Sequence, residues 1–522
     1  MHFRITGKRA VQATGCAMFC LIVCIIAFLN RTLVLEPVTD CLHGESSFEN
    51  MKETMQDNYL GERFREKNEL LSLNGGFARI QGRLQYNEVV RASNGMLASA
   101  VSSQRDTTRF SDNLGRFNSF LKEEGIPFLF ILAPNKGPID GGFLPAGVTD
   151  MSNTICDRLL LQLTEWDLPF LDLRQEMSRT KEQVAKYFYR TDHHWNADGA
   201  FFAFQQIMKA VQIHFPETKM TYADLSMWEK TMIPDWWLGT HGRRVGPLFG
   251  GVEDLDFYLP AFDTEMTRYS VGVWVCKGDF RAANIREYFL HFRDYMKMDS
   301  YHRYIGGSYG LTYHRNQQAE NQLKLLLIGD SFKEPVECFL STEFTSIDVL
   351  DPRVYGQMSI MDYVKLNPPD MVVVMNSFNS LTNKNFFDYG RKTELIAVGE
   401  TVLPEVTVSA ASGELDYAVL PVQLENGKNY VLSLDRIQVL GGDPDGASVM
   451  LYNGEEIVDQ TVFDIDYGNQ FEYHWGFQIP RSVENKDQYQ LRLYAGVSEG
   501  TEGISLVYQG IRVQECLLSD QK

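Results

Sequence analysis

Hydrophobic and polar residues follow two different periods along the chain, and the change of period divides it into regions. Before residue 390, short runs that are apolar on both faces alternate with segments that carry apolar residues at helical spacing. The predicted strands are Pro127–Ala133, Pro169–Leu173, Lys324–Ile328, Ser346–Leu350 and Asp370–Met375. The predicted helices are Asn58–Leu71, Ser111–Glu124, Thr154–Trp166 and Asp198–Phe215. This alternation predicts an α/β domain with a mostly parallel sheet over residues 76–390.

Two stretches depart from this alternation. Residues 36–75 are polar and mixed, and they predict a stalk that leads into the first helix. Residues 217–320 are irregular and rich in aromatic side chains, which predicts an insertion or cap on the α/β domain.

After residue 390 the apolar residues alternate with period two. This pattern predicts a separate β-sandwich of jelly-roll type over residues 391–522. Asn426-Gly427 and Asn453-Gly454 are strong signals for tight turns between strands. The predicted strands are Glu405–Val408, Tyr417–Val422, Tyr430–Leu434, Ser448–Tyr452, Phe471–Phe477, Gln490–Leu493 and Ser505–Val507.

The first 35 residues predict a cytoplasmic tail and a membrane anchor. Ala10–Leu29 contains no charged residue and, as a helix, spans about 30 Å, the thickness of a bilayer core. Arg4, Lys8 and Arg9 precede this stretch and only Arg31 follows closely, so the bulk of the chain is expected outside the cytoplasm. No small-residue cleavage signal follows, which favours a retained anchor over a cleaved signal peptide.

Composition and net charge exclude several classes of protein. With 44% hydrophobic and 22% charged residues the chain is an ordinary globular protein, not a disordered or fibrous one. Its net charge of −19 argues against a nucleic-acid partner, because such proteins normally carry a basic face. Three of its eight cysteines lie in the uncharged stretch, and the other five are scattered, which does not indicate a disulfide scaffold.

A serine that directly follows a predicted buried strand is the first candidate for chemistry. Gly329-Asp330-Ser331 ends the run Leu325–Phe332. In parallel sheets, functional groups gather at the carboxyl ends of strands, and the N-terminus of a following helix favours developing negative charge. Ser331 is therefore a candidate nucleophile. The alternative is a plain strand-to-helix turn, because Asp and Ser are common helix caps.

The second candidate is the segment Tyr189–Trp195. Asp192 and His194 point to the same side of an extended chain, so the carboxylate can orient the imidazole as a base, while His193 points the other way. An Asp-His-His cluster also suits a metal, although no His-rich partner segment is present in the sequence. A pair of structural histidines before a helix is the remaining alternative.

Taken together, these segments resemble a known family. The run Thr191-Asp-His-His-Trp-Asn-x-x-Gly-Ala200, followed by Gly-Asp-Ser-Phe332, resembles the DHHW family of the SGNH-hydrolase superfamily and is similar to the bacterial alginate O-acetylation proteins. The resemblance covers residues 50–390 and implies a flavodoxin-like fold with the catalytic triad Ser331, His194 and Asp192. Here the Asp-x-His motif precedes the serine, whereas ordinary SGNH esterases have the serine first.

The oxyanion hole is predicted from the same resemblance. The strand and turn at residues 369–379 are similar to the superfamily's strand that ends in Gly-x-Asn-Asp, which places Asn379 on the asparagine. Ser377 and Ser380 replace the glycine and the aspartate. Asn376 is an alternative amide donor, and Gly356 is a candidate backbone donor.

Further residues are candidates for binding substrate. Asn135 and Lys136 follow a predicted strand and resemble a signature of the family, and Arg353 lies in a similar position after another strand. The alternative for Lys136 and Arg353 is that they are solvated surface residues.

Aromatic residues in the predicted sandwich suggest a carbohydrate-binding surface. Tyr452, Tyr473, Trp475 and Tyr494 lie on alternating strands, and aromatic faces stack on sugars. The alternative is that these rings belong to the sandwich core.

The sequence as a whole predicts a membrane-anchored, extracytoplasmic O-acyltransferase, specifically an O-acetyltransferase, with a polysaccharide acceptor. The resemblance implies a membrane-bound O-acyltransferase that supplies the acyl group. No metal or other cofactor and no nucleic acid is expected. A carbohydrate esterase with the same triad is one alternative, and a non-catalytic glycan-binding or assembly protein is the other.

Overall fold

The structure is a computed structural model that describes most of the chain after residue 66. The described residues are 67–270, 273–355, 359–382, 395–441, 447–463, 473–479, 489–496 and 503–518, together with short stretches and single positions between 17 and 64. The predicted anchor Ala10–Leu29 lies largely outside them. Among the residues described, no helix has the length and apolar character needed to cross a membrane.

The helices and strands are numbered in chain order. The helices are α1 (Thr32–Leu42), α2 (Lys67–Ile80), α3 (Thr108–Glu123), α4 (Ser152–Glu165), α5 (Arg174–Met177), α6 (Lys181–Tyr187), α7 (Ala197–His214), α8 (Thr240–Val245), α9 (Pro247–Gly250), α10 (Phe280–Asn284), α11 (Tyr288–His291), α12 (Lys333–Glu343), α13 (Ile360–Leu366) and α14 (Phe378–Leu381). The strands before residue 390 are β1 (Gln85–Tyr86), β2 (Val89–Arg91), β3 (Leu97–Ala98), β4 (Phe128–Ala133), β5 (Phe170–Asp172), β6 (Trp228–Trp237), β7 (Glu253–Pro260), β8 (Met266–Ser270), β9 (Val273–Gly278), β10 (Leu311–Arg315), β11 (Asn321–Gly329), β12 (Phe344–Leu350) and β13 (Met371–Ser377). The later strands are β14 (Leu395–Val402), β15 (Val406–Ala410), β16 (Leu415–Val422), β17 (Asn429–Leu434), β18 (Arg436–Gly441), β19 (Ala447–Asn453), β20 (Glu456–Phe463), β21 (Tyr473–Gln478), β22 (Tyr489–Gly496), β23 (Ile504–Gln509) and β24 (Arg512–Leu518).

The first domain is built on one sheet in the order β5-β4-β13-β11-β12-β10-β8-β9. The five strands from β5 to β12 are parallel, and β10, β8 and β9 continue the sheet antiparallel. The prediction of a mostly parallel α/β sheet is therefore confirmed. β13, the last of these strands in the chain, is the middle one of the five parallel strands, between β4 and β11.

The sheet is buried on both faces, which explains the doubly apolar strands. In β4, Leu129 and Ile131 face one apolar core, and Phe128 and Phe130 face the other. Helices α7 and α12 cover the first face, whereas α3, α4 and α13 cover the second. The sheet edge where the parallel strands end remains open for a site.

The predicted cap at residues 217–320 is corrected in part. β8, β9 and β10 extend the main sheet, and only the β6–β7 ribbon forms a two-stranded sheet of its own. β8 and β9 form a hairpin that joins the main sheet only through β10, where Thr312 pairs with Ser270. Pairing between residues this far apart has no local signal, so the aromatic pattern alone did not reveal it.

The first helix of the domain also differs from its prediction. It was expected at Asn58–Leu71, of which residues 58–63, 65 and 66 lie outside the described residues, and the described helix continues to Ile80, across a Gly-Gly pair. A Cβ at Gly75 would lie 2.1 Å from the Val245 carbonyl oxygen, so this glycine permits close packing of α2 against α8. Tertiary contact here outweighs the low helix propensity of glycine.

The chain after residue 394 is all β in the described residues. Its strands pair antiparallel in three sheets, β14-β24-β17-β21, β15-β23-β18 and β16-β22-β19-β20, which contribute to one apolar core. The predicted β-rich region is confirmed, and Gly454, with φ of +63°, turns the β19–β20 hairpin as expected. The jelly-roll connectivity stays a prediction.

Of the four aromatic residues predicted to bind sugar, the three whose side chains are described are buried. Trp475 is 2% exposed and packs on Phe477 inside the core, which corrects its prediction as a sugar-binding residue. Tyr452 and Tyr494 are buried on another face, where their hydroxyls lie 3.2 Å apart. The side chain of Tyr473 lies outside the described residues.

Candidate active site

Ser331 lies at the carboxyl end of β11, in the turn that leads to α12. The strand ends at Gly329 and the helix begins at Lys333, so the half-buried serine stands at the open edge of the sheet. A Cβ at Gly329 would lie 2.3 Å from the Met375 carbonyl oxygen of the neighbouring strand. Glycine therefore allows this turn to pack tightly against β13.

The structure brings the three predicted triad residues into one hydrogen-bond chain. The distance from His194 Nε2 to Ser331 Oγ is 2.8 Å, and that from His194 Nδ1 to Asp192 Oδ1 is 2.6 Å. With Nδ1–H donating to the carboxylate, Nε2 is free to accept the serine proton. The arrangement can therefore activate Ser331 as a nucleophile.

Asp192 is held in its ionised form. Its side chain is fully buried, and it also accepts hydrogen bonds from the backbone N–H groups of His194 at 2.9 Å and Thr240 at 2.5 Å. Burial alone would raise the pKa of Asp192, but the nearby His193 and His194 and these donors outweigh it and hold the pKa well below its usual range.

Aromatic side chains fix the plane of the His194 ring. The Tyr301 ring stacks on it with centroids 3.7 Å apart and planes 9° apart. Phe332, the residue after the nucleophile, contacts it at 4.8 Å. Stacking and packing of this kind hold the imidazole at the angle that its two hydrogen bonds require.

Lys136 lies behind the Asp-His segment rather than facing the cleft with its ammonium. Its Nζ donates to the carbonyl oxygens of Leu97 at 2.5 Å, Tyr189 at 2.8 Å, Arg190 at 3.0 Å and Asp192 at 2.8 Å. The side chain is only 4% exposed. The predicted role in binding substrate is therefore corrected: these contacts make Lys136 a positioning residue for the acid–base loop.

A second loop approaches Asp192 from the other side. A Cβ at Gly239 would lie 2.3 Å from Asp192 Cβ, and the Gly239 N–H donates to Thr191 Oγ1 at 2.8 Å. The next residue, Thr240, supplies the backbone donor to the carboxylate. Glycine is therefore needed at 239 to bring this donor within reach.

Asp330 connects the nucleophile turn to the end of β13. Its Oδ2 accepts hydrogen bonds from the Ser377 N–H at 2.8 Å, Ser377 Oγ at 2.7 Å and Ser380 Oγ at 2.6 Å. Ser377 and Ser380 are the two positions at which the sequence departs from the superfamily pattern that was predicted for this strand. The departure from that pattern thus has a structural purpose: the two hydroxyls hold Asp330 beside Ser331.

The three oxyanion candidates lie in different surroundings. Asn379 is exposed on α14 and lines the cleft beside the site, so its role stays a prediction. Asn376 is fully buried and, like Val372 and Val374, faces the α3–α4 layer, away from Phe332, which corrects its prediction. Gly356 lies outside the described residues.

Two further residues were predicted to bind substrate; Asn135 lies in the wall of the cleft, whereas Arg353 forms an ion pair. Asn135 lines the cleft and donates through Nδ2 to Ser152 Oγ at 2.5 Å. Arg353 instead pairs with the buried Asp351 through Nη2–Oδ2 at 2.6 Å and also donates to Ser308 Oγ at 2.9 Å. Binding of substrate by Arg353 stays a prediction, with its guanidinium already engaged.

A cleft runs past the His193 side of the triad. It consists of two adjoining cavities of about 70 and about 690 Å³, which share Ser99, Val101, His193, His241 and Asn379 in their walls. The walls of the smaller cavity combine apolar side chains such as Phe143, Leu144 and Phe332 with polar ones such as Asp150 and Ser377.

The histidines of this wall are neutral. Burial and the neighbouring His194 lower the pKa of His193 to about 4. Burial and the Lys136 ammonium lower the pKa of His241, whose Nε2 lies 3.1 Å from Ser99 Oγ. Potential metal-ligand atoms of Asp192, His193 and His194 lie within 4.8 Å of one another, but two of these residues are hydrogen-bonded to each other.

Comparison with known proteins agrees with the motifs. Residues 93–225 match the family described as the SGNH hydrolase-like domain of the acetyltransferase AlgX. The family resemblance is confirmed. The matched SGNH-like segment contains Asp192 and His194, and Ser331 lies beyond it. No curated protein matched the chain.

Solved structures are similar at low identity. PatB1 from Bacillus cereus is 21% identical with a TM-score of 0.49 and covers 57% of this chain and 99% of its own. A DHHW family protein from Eubacterium siraeum is 19% identical with a TM-score of 0.43, covering 58% and 94%. AlgX from Pseudomonas aeruginosa is 12% identical with a TM-score of 0.33, covering 84% and 98%.

Sequence reasoning did not identify several residues of the SGNH-like site. Tyr301 lies in the irregular region, and its contact with His194 depends on the tertiary fold. Gly239 carried one usable signal, since glycine is common where another part of the chain approaches the backbone closely; Thr240 carried none. Asp330 was part of the Gly-Asp-Ser run, but its partners at the end of β13 had no sequence signal.

Proposed function

We propose that this protein is an extracytoplasmic O-acyltransferase, specifically an O-acetyltransferase, that modifies a polysaccharide through an acyl-serine intermediate. The observation that carries the proposal is the hydrogen-bond chain from Asp192 through His194 to Ser331. The match of residues 93–225 to an acetyltransferase domain supports the acyl chemistry.

The reaction proceeds in two displacements. His194 Nε2 accepts the proton of Ser331 Oγ while the oxygen attacks the acyl carbonyl of the donor. The carbonyl–leaving-group bond then breaks, His194 returns the proton to the leaving group, and an acyl-serine remains. A sugar hydroxyl next loses its proton to His194, attacks the ester and releases Ser331, which regains the proton. Asp192 stays ionised throughout and stabilises the imidazolium.

The choice between sugar and water in the second step distinguishes a transferase from an esterase. The larger cavity, of about 690 Å³, has room for sugar residues, and its wall contains His193, the neighbour of His194 in the chain. A positioned hydroxyl has a high effective concentration against water, which favours transfer. An esterase that uses the same triad is the alternative outcome of the experiment below.

The rest of the chain fits a surface role. In this proposal the uncharged stretch Ala10–Leu29 anchors the protein in the membrane with the α/β domain outside the cytoplasm. A membrane-bound O-acyltransferase supplies the acyl group, and the polysaccharide is the acceptor. Donor and acceptor then meet at Ser331.

The test compares the full-length protein with its S331A variant. Each is incubated with a chromogenic acetyl ester, with and without oligosaccharides, and the enzyme, acetate and acetylated sugar are followed by mass spectrometry. We expect the wild type to gain the mass of one acetyl group and pass it to sugar, and S331A to do neither. The exposed Ser119 on α3 offers a matched control, since S119A should behave as wild type.

Other outcomes would change the assignment. Serine-dependent acetate without acetylated sugar would identify an esterase. A polysaccharide whose acetylation in cells is unchanged by S331A but lost when residues 395–518 are deleted would identify a non-catalytic binding or assembly protein.

A further inference from the structure

Helix α2 has one packed face and one unpartnered apolar face. Gly75 and Ala78 pack against α8 and α9. On the opposite side Leu73, Phe77 and Ile80 are 52%, 62% and 84% exposed. Their spacing of four and three residues places them in one line along the helix, here called the apolar ridge.

Two neighbouring side chains enlarge this surface. Leu84, which follows the helix, and Leu248, on α9, are 52% and 50% exposed. Leu248 lies against α2: a Cβ placed on Gly76 would be 3.1 Å from the Cβ of Leu248. Single exposed apolar residues are common, but a contiguous set of large ones marks a surface that contacts something apolar.

The charges beside the apolar ridge indicate what that partner is. Residues 67–84 contain three basic side chains, Lys67, Arg79 and Arg83, and one acidic one, Glu69, four residues before Leu73, whereas the whole chain has a net charge of −19. Arg79 Nη1 also donates to the Leu248 and Phe249 carbonyl oxygens at 3.4 Å, and the Arg79 side chain stays exposed. A helix with an apolar face flanked by Lys and Arg is typical of segments that lie at an anionic bilayer surface. A stable protein interface would bury about 800 Å² on each partner, more than five half-exposed side chains offer.

The position of α2 in the chain supports the same partner. Residues 30–66 join it to Ala10–Leu29, the uncharged stretch predicted to cross a bilayer. A helix tethered in this way stays close to the membrane surface, where even weak insertion is favoured by its high effective concentration.

We infer that the apolar ridge inserts into the interface of an anionic lipid bilayer and holds the α/β domain against the membrane. The inference rests on the predicted anchor and is independent of the proposed chemistry, so each can fail without the other.

The experiment identifies the occupant of the ridge by photocrosslinking. The full-length protein carries p-benzoylphenylalanine at position 77 and is reconstituted into vesicles of equal parts phosphatidylcholine and phosphatidylglycerol. After irradiation we expect lipid adducts at this position by mass spectrometry. The same amino acid at position 213, where Ile213 is 79% exposed on α7, should give none.

A position inside the uncharged stretch controls the reconstitution. The crosslinker at position 19 should also label lipid. Lipid labelling at 19 but not at 77 would overturn the inference, as would labelling at neither position. Adducts at 77 to a second copy of the chain, or to another protein in native membranes, would overturn it as well.

The contribution of charge is tested by replacing Arg79 and Arg83 with glutamine together. Each basic residue near an anionic surface contributes about a fivefold gain in binding, so the adduct yield at position 77 should fall several-fold in the mixed vesicles and not in phosphatidylcholine alone. An unchanged yield in the mixed vesicles would contradict the anionic partner. Both arginines are exposed, so the circular dichroism spectrum should stay that of the wild type.

Discussion

Asp192 determines whether His194 can act as a base, because one carboxylate oxygen fixes both the ring and the backbone of that histidine. Its Oδ1 accepts from His194 Nδ1–H and from the His194 backbone N–H, while Oδ2 accepts from Thr240. The spacing of the two residues was visible in the sequence. The Thr240 donor was not, since it comes from a loop 48 residues further along the chain.

Replacing Asp192 with asparagine should stop catalysis while the protein stays folded. The amide cannot hold the Nδ1–H tautomer, so we expect kcat to fall by about 10⁴-fold, the usual cost of the wrong tautomer. The readout is acetyl-ester turnover together with the unfolding temperature. Turnover within about tenfold of the wild type would show that the carboxylate has no part in orienting the base.

Replacing Lys136 with methionine should impair kcat more than KM. The ammonium holds four carbonyls of the acid–base loop and its surroundings, and a shift of about 1 Å in a reacting group costs about 10²-fold in rate. The matched control is K209M on the exposed face of α7. Steady-state kinetics indistinguishable between K136M and K209M would contradict the positioning role.

At the scale of elements, the strands and helices next to the site were predictable because both faces of the sheet are covered. A strand buried on both sides must be apolar throughout, and this gives a short run that composition reveals directly. β4, β11 and β13 were found within a few residues of their observed ends. β8 and β9 were not, because an antiparallel extension of the sheet carries the same aromatic pattern as a cap.

Helix α12, which follows Ser331 and Phe332, is buried along its whole length and contains a carboxylic acid that is costly to ionise there. Within the described part of the chain neither carboxylate oxygen of Glu337 has a hydrogen-bond partner, and His314 Nε2 lies 4.0 Å from its Oε2. Burial raises the pKa of Glu337 to about 8, although the neighbouring Lys333 lowers it. The acid is therefore neutral in the folded protein near pH 7, whereas it is ionised in the unfolded chain above its ordinary pKa of 4.5. The other charged groups that influence it are Glu334, Arg268 and Asp351.

Replacing Glu337 with glutamine should remove a pH-dependent loss of stability. The folded form of the wild type binds the proton more tightly, so its stability is fully present below pH 4.5 and declines as the pH rises to about 8. E337Q lacks this decline. In urea unfolding, the wild type and E337Q should have equal free energies of unfolding at pH 4, and E337Q should be the more stable at pH 8. A difference between the two that does not grow with pH would show that Glu337 is not a protonated buried acid.

At the scale of the whole molecule, the chain has two sets of cores that share no residue. The sheet of the first domain has apolar cores on its two faces, and the strands after residue 394 surround a third. The change of apolar period predicted this division. The pattern could not predict whether an individual aromatic residue belongs to the core or to a sugar-binding surface. Alternation separates the two faces of a strand, and aromatic side chains are common on both kinds of face.

Replacing Trp475 with alanine should therefore destabilise only the C-terminal region. Removing a buried ring of this size costs about 3–5 kcal/mol. We expect calorimetry to show that the unfolding transition of the C-terminal region moves to a lower temperature while the other transition stays in place. Turnover of a small acetyl ester, measured below the lowered transition temperature, should be unchanged. Y417A, at a 43% exposed tyrosine, is the matched control. A uniform shift of every transition would show that the regions unfold as one unit.

The central place of β13 has a consequence for how the molecule is made. A chain that has emerged from the ribosome as far as residue 350 contains β4 and β11 but not the strand that lies between them. Until Met371–Ser377 arrives, both strands present unpaired apolar edges of the kind that lead to aggregation. The sheet closes through contacts between residues more than 200 positions apart, such as Phe128 and Val372, and such distant pairing makes folding slow. We therefore expect the nascent chain to need protection by chaperones until β13 has been synthesised.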